Sequence, residues 1–306
     1  GMETHSKHGD SIFWEGDGTL FVNLYVPATL DWAERGIRLV LETANPHGER
    51  ATLRFAQSDG AGTFDVALRL PGWCAAPAAR VNGVRIEARA DAAGYLRVRR
   101  SWKSGDAIEL DLPMPLRLES TPDDPATVAF MRGPLVLAAD LGPATAPFDG
   151  PAPALVGDAP LVAMAARDAA QGRYVSRGLV RPADLEFAPF YGQHDRRTAV
   201  YFRRYTPAEW QAALREQERE RQRQAALDAR SLDIVRLGVE ADEQAHRLES
   251  AISYAVSYRF RPGRDARTGG FLEFDVAVRG EPLVLRAAYW GGERDRVFHI
   301  LVEGER

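Results

Sequence analysis

At 306 residues the chain is long enough for about two domains, each burying a hydrophobic core of its own. Its 39 basic residues against 43 acidic ones give a formal net charge of −4, which excludes a broad positive field for nucleic acid. The single cysteine excludes an internal disulfide, and no apolar run approaches the ~20 residues of a membrane span.

Short strands dominate the first part of the chain. Residues 63–70 (TFDVALRL) and 108–112 (IELDL) alternate apolar and polar side chains, a period of two that is typical of half-buried strands. Asn82-Gly83 stands between two valines and predicts a two-residue hairpin turn. Many short strands with regular turns favour an antiparallel β-sandwich over residues 15–140, and not a parallel sheet wrapped by helices.

A segment rich in Pro, Ala and Gly follows, and residues 141–205 are predicted to form a connector with short strands. A helix is predicted over residues 206–231. Thr206 can cap its first turn, Pro207 takes the first helical position, and Glu209 completes a capping box.

The middle of this helix, residues 215–224, carries opposite charges at helical spacing and indicates a solvated strut. Beyond it, residues 232–306 are predicted to form a C-terminal β-sandwich, which need not be complete. The segments that alternate there are 252–260, 271–278, 282–290 and 297–302. The sequence therefore predicts an all-β fold of two or more antiparallel, jelly-roll-like β-sandwich domains with one long connecting helix.

Several segments, in their order and spacing, resemble the region that follows the active site in family 127 glycoside hydrolases, the β-L-arabinofuranosidase-like enzymes. They are GMETHSKHGDSIFW, TLFVNLYVPATLDW, LRLPGWC, VNG, GYLRVRRSWKSGDAIELDLPM and VAFMRGPLVLA. Further along, residues 185–205, the capped helix, Glu243-x-x-His246 and the segments TGGFLEFDV and YWGGE are similar to the tail modules of the longer bacterial members.

The resemblance implies a parent enzyme with an (α/α)6 barrel, whose retaining mechanism uses a zinc-held cysteine thiolate as nucleophile and a glutamate as acid/base. It implies that residues 1–14 are the remnant of the last barrel helix and that the family's Cys-Cys pair lies upstream. This chain is then a non-catalytic β-sandwich portion supporting a missing barrel, with no catalytic residue and no zinc ligand of its own. The parent enzyme is expected to be exported, although these residues contain no signal segment.

Five aromatic residues are candidates for carbohydrate binding, because an exposed ring complements the apolar face of a sugar. They are Trp73, Tyr95, Trp102, Tyr289 and Trp290. Core or domain-interface packing is the competing interpretation for each of them. His5 and His8 are candidates for the neighbourhood of the parent's active site, since the resemblance places them just after the missing nucleophile.

Three further motifs favour structure over chemistry. Cys74 stands at a strand end without a neighbouring His or Cys in the sequence, so we expect a buried, inert thiol. His194-Asp195 and Glu243-x-x-His246 lack a second ligand cluster, so we expect structural hydrogen bonding and no metal.

Three functions remain open from the sequence. The chain is an inert structural portion of a hydrolase, a carbohydrate-binding module acting on plant-type polysaccharide, or a hydrolase with a site of its own. Fold alone confers no activity, and no convergent carboxylates support the third. Nucleic acid and membrane are not expected partners. Self-association is expected through an apolar docking face near residues 2–14, which the barrel would otherwise cover.

Overall fold

The computed structural model describes residues 7, 9–58, 60, 62–146, 150–157, 161–258, 261–292 and 296–303. Two compact units divide the chain at residues 1–217 and 218–306. The N-terminal unit contains two successive β-structures, each with its own hydrophobic core. These are called the first sandwich and the second sandwich below.

Ten strands of the described residues build the first sandwich. They are β1 (Phe13–Gly16), β2 (Thr19–Val22), β3 (Ala28–Trp32), β4 (Ile37–Thr43), β5 (Arg50–Ser58), β6 (Thr63–Arg69), β7 (Ala78–Val81), β8 (Val84–Ile86), β9 (Tyr95–Ser101) and β10 (Ala107–Asp111). They form two sheets, in the orders β1-β2-β6-β9 and β3-β4-β5-β10-β7-β8. Neighbouring strands are antiparallel except β2 and β6, which are parallel. A 3-10 turn, Ala33–Arg35, connects β3 to β4.

Side chains from both sheets share one core, because alternation along each strand turns the apolar positions inward. In β6, for example, Phe64, Val66 and Leu68 are buried, as the period-two pattern predicts. The predicted hairpin turn is confirmed: Asn82 and Gly83 join β7 to β8 with φ angles of 51° and 78°. Those left-handed angles are what a tight two-residue turn requires.

Ten further strands of the described residues form the second sandwich. They are β11 (Leu116–Ser120), β12 (Thr127–Arg132), β13 (Leu135–Pro143), β14 (Ala154–Val156), β15 (Met164–Asp168), β16 (Arg173–Ser176), β17 (Val180–Arg181), β18 (Glu186–Pro189), β19 (Arg196–Ala199) and β20 (Tyr201–Tyr205). The order β15-β16-β18-β13-β12-β20-β14-β17 makes one sheet, with β11 added on β12 and β19 on β13. Leu161–Ala163 and Phe190–Gly192 form 3-10 turns.

The strands of this sheet contribute to one core, whose centre is aromatic. The ring centroid of Phe130 lies 4.9 Å from that of Phe187 and 5.2 Å from that of Phe202. Residues 141–205, predicted as a connector with short strands, supply β14 to β20 and part of this core. The sequence pattern is weak here because each strand is short: β17 spans two residues, of which only Val180 turns inward.

The long helix is α1 (Pro207–Arg230). Its capping box is confirmed: the backbone amide of Thr206 donates to Glu209 Oε2 at 2.8 Å, and the amide of Glu209 donates to Thr206 Oγ1 at 3.2 Å. Trp210 is its buried residue, whereas most side chains of its second half are exposed. Pairs such as Arg223 with Glu220, 3.0 Å apart, support that solvated half.

The C-terminal unit contains a short helix, α2 (Glu240–Ala245), and an antiparallel pair, β21 (Glu249–Tyr258) and β22 (Arg261–Glu273). In the described part of this unit that pair is the one sheet. Residues 282–290 and 297–301, predicted as strands, lie in none, since a strand forms only where a neighbour takes its backbone hydrogen bonds. The sandwich expected from residue 232 onward therefore stays a prediction.

Neither α1 nor α2, nor any other helix among the described residues, has the length and apolar character that crossing a membrane requires.

Candidate functional site

Three of the aromatic candidates lie in the first sandwich and take part in its packing. Trp102 is 3 % exposed, its ring stacks on Phe55 at 4.6 Å, and its Nε1 donates to the carbonyl of Phe64 at 3.3 Å. Trp73 is half-buried against the same core. Tyr95 is half-buried as well. Trp102 is thus a core residue whose ring offers no free face to a sugar.

Tyr95 and the two remaining aromatic candidates contact other side chains of their own units. The hydroxyl of Tyr95 donates to Asn23 Oδ1, and its ring meets Phe21 edge-on at 5.3 Å. Tyr289 and Trp290 are exposed and belong to the C-terminal unit, where Tyr289 contacts Phe298 at 5.1 Å. The five candidates are therefore divided between two units.

No residue of this chain was predicted to be catalytic. His5 and His8, predicted to lie near the parent's active site, are outside the described residues. Cys74 is buried, and burial raises the pKa of its thiol, which disfavours the nucleophilic thiolate. Among the described residues, no group of three or more His, Cys, Asp or Glu side chains lies close enough together to hold a metal ion. The zinc implied by the resemblance therefore finds no ligand set in the described part of the chain.

The Glu243-x-x-His246 motif joins elements within the C-terminal unit. Arg264 of β22 donates two hydrogen bonds to Glu243 of α2, from Nε to Oε1 at 2.8 Å and from Nη2 to Oε2 at 2.6 Å. The amide of Gly238 also donates to Glu243 Oε1, at 2.6 Å. These bonds, the Arg264 pair first, lower the pKa of the Glu243 carboxyl.

His246 is held from both sides of its ring. Its Nδ1 faces the carbonyl of Asp242 at 2.7 Å and its Nε2 faces Asp233 Oδ1 at 3.0 Å. Both partners only accept hydrogen bonds, so making both bonds requires the protonated, doubly donating imidazolium. The hydrogen bond to Asp233 is accordingly the largest of the causes that raise the pKa of His246. Both residues of the motif thus make hydrogen bonds within the C-terminal unit, and a structural role for them stays a prediction.

His194-Asp195 occupies an exposed turn before β19. Asp195 has a φ of 53°, and its carbonyl accepts a hydrogen bond from the amide of Ala144 at 3.0 Å. The pair shapes this turn, a position where Asp tolerates left-handed backbone geometry.

A polar junction joins the two sandwiches, and no motif in the sequence predicts it. Arg132 of β12 is buried; its Nη2 lies 3.6 Å from Glu49 Oε1, and its Nη1 donates to the carbonyl of His47 at 3.4 Å. Glu49 Oε1 also accepts from the amide of Met114 at 3.0 Å. On the other side, the hydroxyl of Tyr191 meets His47 Nε2 at 2.5 Å. Because buried polar groups are costly unless paired, these bonds fix the two sandwiches against each other.

A groove of about 490 Å³ lies between β20 and the first turns of α1, and every residue lining it belongs to the N-terminal unit. Its floor is the outer face of the second sandwich, where Tyr201, Arg203 and Tyr205 alternate with the inward-facing Phe202. One wall is the helix face that carries Trp210, Ala213, Leu214 and Gln217, and the other is Pro151–Pro153.

The sequence indicates which residues share each face of this groove. Positions 210, 213, 214 and 217 follow the i, i+3, i+4, i+7 spacing of one helix face, and positions 201, 203 and 205 follow the period of two along a strand. What the sequence could not show is that helix and strand fold back on each other and leave space between them.

The two sandwiches, each with its own core, and the helix α1 define the class of the molecule. It is a protein of mainly antiparallel, sandwich-like β-domains with a connecting helix. Residues 19–114, which run from β2 to just beyond β10 of the first sandwich, match the model of one protein family, described as beta-L-arabinofuranosidase, GH127 middle domain. The resemblance to family 127 glycoside hydrolases is thereby confirmed for this part of the chain.

Solved structures show the same fold. The chain is similar to a GH127 beta-L-arabinofuranosidase from Geobacillus stearothermophilus T6, with 24 % identity and a TM-score of 0.51, over 64 % of this chain and 35 % of that one. It is also similar to a protein described as a glycoside hydrolase, with 22 % identity and a TM-score of 0.50, over 63 % and 37 %. The chain thus spans little more than a third of the structures it matches. No curated protein sequence matches it.

Proposed function

We propose that this chain is the non-catalytic β-sandwich portion of a β-L-arabinofuranosidase-like glycoside hydrolase, and that it supports an (α/α)6 catalytic barrel. The observation that carries the proposal is the match of residues 19–114 to the middle domain of that family. A middle domain is one part of a larger enzyme, which agrees with the share of the solved structure that this chain covers. The sugar specificity belongs to the barrel.

Two features of the chain agree with a non-catalytic role beside a barrel. The chain has one cysteine, and its thiol is buried with a raised pKa, the opposite of what thiolate catalysis needs. The contacts of Arg132 with His47 and Glu49 connect the two sandwiches, as a supporting portion requires. The proposal includes a jelly-roll-like first sandwich, supported by strands that cross repeatedly from one sheet to the other.

The parent's other contacts follow from the same proposal. A barrel would dock on a face near residues 2–14, and the exposed Trp14 is the described residue that supports such a face. Without a barrel, this face is expected to drive self-association of the chain.

Turnover is the first test of the proposal. The purified chain, incubated with an aryl β-L-arabinofuranoside and zinc, is expected to release no aglycone above the background rate and to hold less than stoichiometric zinc. The reason is that a nucleophile and its metal ligands act as one constellation, so that their loss removes several orders of magnitude in rate. Cys74→Ser is the matched control and should leave the background unchanged. Turnover that Cys74→Ser abolishes would overturn the proposal.

A carbohydrate-binding module acting on plant-type polysaccharide is the second candidate. The observation that favours it is the aromatic-lined groove beside β20, since such modules need rings exposed in a shallow groove. Binding of an oligosaccharide without turnover distinguishes this function from hydrolysis.

A further inference from the structure

We propose that the groove between β20 and α1 binds a neutral oligosaccharide. This inference holds whether or not the chain supports a barrel, and it involves none of the five aromatic residues singled out from the sequence. The groove's volume, about 490 Å³, lies within the ~300–1,000 Å³ typical of small-molecule sites.

The floor of the groove offers an aromatic platform beside polar groups. Tyr201 is 64 % exposed, so its ring is open to a ligand. Arg203 follows two positions later, roughly 6.6 Å along the strand, and Thr127 lies beside it as its pairing partner on β12. The Thr127 hydroxyl donates to Asp124 Oδ2 at 2.9 Å, so its oxygen is left to accept from a ligand. A sugar presents apolar C–H groups on one face and hydroxyls around its rim, so a ring flanked by a guanidinium and an accepting hydroxyl oxygen matches both surfaces.

The helix wall adds a further polar contact at the opposite side. Gln217 presents an amide that both donates and accepts, as sugar hydroxyls do. Ala213, one turn earlier, leaves the space in front of the floor open. The one small side chain on this wall, that of Ala213, therefore helps to create the groove.

The charges around the groove favour a neutral ligand over an anionic one. Among the described residues that line the groove, Arg203 is the one with a charged side chain, and its Nη1 lies 3.8 Å from Asp124 Oδ2. Its guanidinium also lies 5.7 Å from the ring centroid of Tyr205. The Asp124 carboxylate offsets part of this charge, so an anionic ligand would gain little over a neutral one.

A proline-rich peptide is the competing ligand for an aromatic groove. Such a peptide seats its proline rings in slots between aromatic side chains. Here Tyr205 and Trp210 contact each other, with ring centroids 5.6 Å apart, and Trp210 is buried. No slot remains between them, whereas the single open ring of Tyr201 suits flat stacking by a sugar.

Calorimetric titration of the full chain with neutral arabino- and xylo-oligosaccharides tests the proposal. We expect saturable binding of at least one of them, and a loss of about tenfold in affinity for Tyr201→Ala, the size expected for removing one stacked ring. Tyr201→Phe should keep the affinity. The matched control is Tyr254→Ala, another exposed strand tyrosine with an arginine, Arg267, 4.8 Å from its ring. It should leave binding unchanged.

A second variant tests the same groove from the opposite wall. Ala213→Phe adds a ring to the open space and should abolish binding, while thermal unfolding shows that the variant is folded. Absence of binding by every oligosaccharide, or binding that Tyr201→Ala and Ala213→Phe leave intact, would overturn the proposal. So would a proline-rich peptide that binds at Tyr201 in place of the sugars. None of these outcomes depends on turnover, so failure here is distinguishable from failure of the proposed function.

Discussion

Replacing Trp102 by alanine is expected to lower the free energy of unfolding of the first sandwich by about 3–5 kcal/mol, the usual cost of truncating a large buried aromatic side chain. The ring is almost fully buried and lies stacked on Phe55. Its loss also leaves the carbonyl of Phe64 without the indole N–H that it now accepts. Water cannot fill the apolar cavity or replace the lost donor without a further cost in free energy.

The midpoint of urea unfolding, followed by tryptophan fluorescence and circular dichroism, measures this effect. Trp14→Ala is the matched control, because Trp14 is 54 % exposed on β1 and its replacement should change stability by no more than about 0.5 kcal/mol. A Trp102→Ala variant of unchanged stability that had lost affinity for sugars would contradict the core assignment and restore Trp102 as a binding residue.

Replacing Arg264 by alanine is expected to destabilise the C-terminal unit locally by about 3 kcal/mol, since removing one partner strands a buried charge. The side chains of Arg264 and Glu243 are only 14 % and 11 % exposed, and together they fasten α2 to the β21–β22 pair. Without Arg264, the carboxylate keeps the amide of Gly238 as its hydrogen-bond donor.

Hydrogen exchange of the β21 and β22 amides measures this loss, which should appear as exchange faster by about two orders of magnitude. Arg267→Ala, on the same strand, is the control: its ion pair with Asp265 is long, at 3.5 Å, and exposed, so little change is expected. Replacing Glu243 and Arg264 together by methionine should restore much of the protection. Equal exchange in Arg264→Ala and Arg267→Ala would show that the buried pair does not fasten the unit.

Local signals in the sequence were sufficient for several elements. Asn82-Gly83 predicts its hairpin because few dipeptides tolerate two left-handed φ angles in a row. Thr206 and Glu209 predict the start of α1 because the two side chains satisfy backbone amides that the helix itself leaves open. Each signal acts within a few residues and needs no tertiary context.

The second sandwich and the functional features depend on contacts that are distant in sequence. Arg132 reaches the carbonyl of His47 across 85 positions, so no local pattern marks the junction. The strand order of the second sandwich places β20 between β12 and β14, and only that order brings Thr127 beside Arg203. Trp102 shows the converse: its residue type allows stacking on a sugar, but its burial is decided by Phe55 and Phe64 from other strands.

The coding sequence immediately upstream of Met2 in the source genome tests the central claim most directly. If this chain is the β-sandwich portion of a β-L-arabinofuranosidase-like enzyme, the reading frame should continue upstream through an adjacent Cys-Cys pair and, before it, a series of amphipathic helical repeats that form the barrel. An in-frame stop codon directly before Met2 with no barrel gene beside it, or an unrelated domain fused there, would contradict the claim.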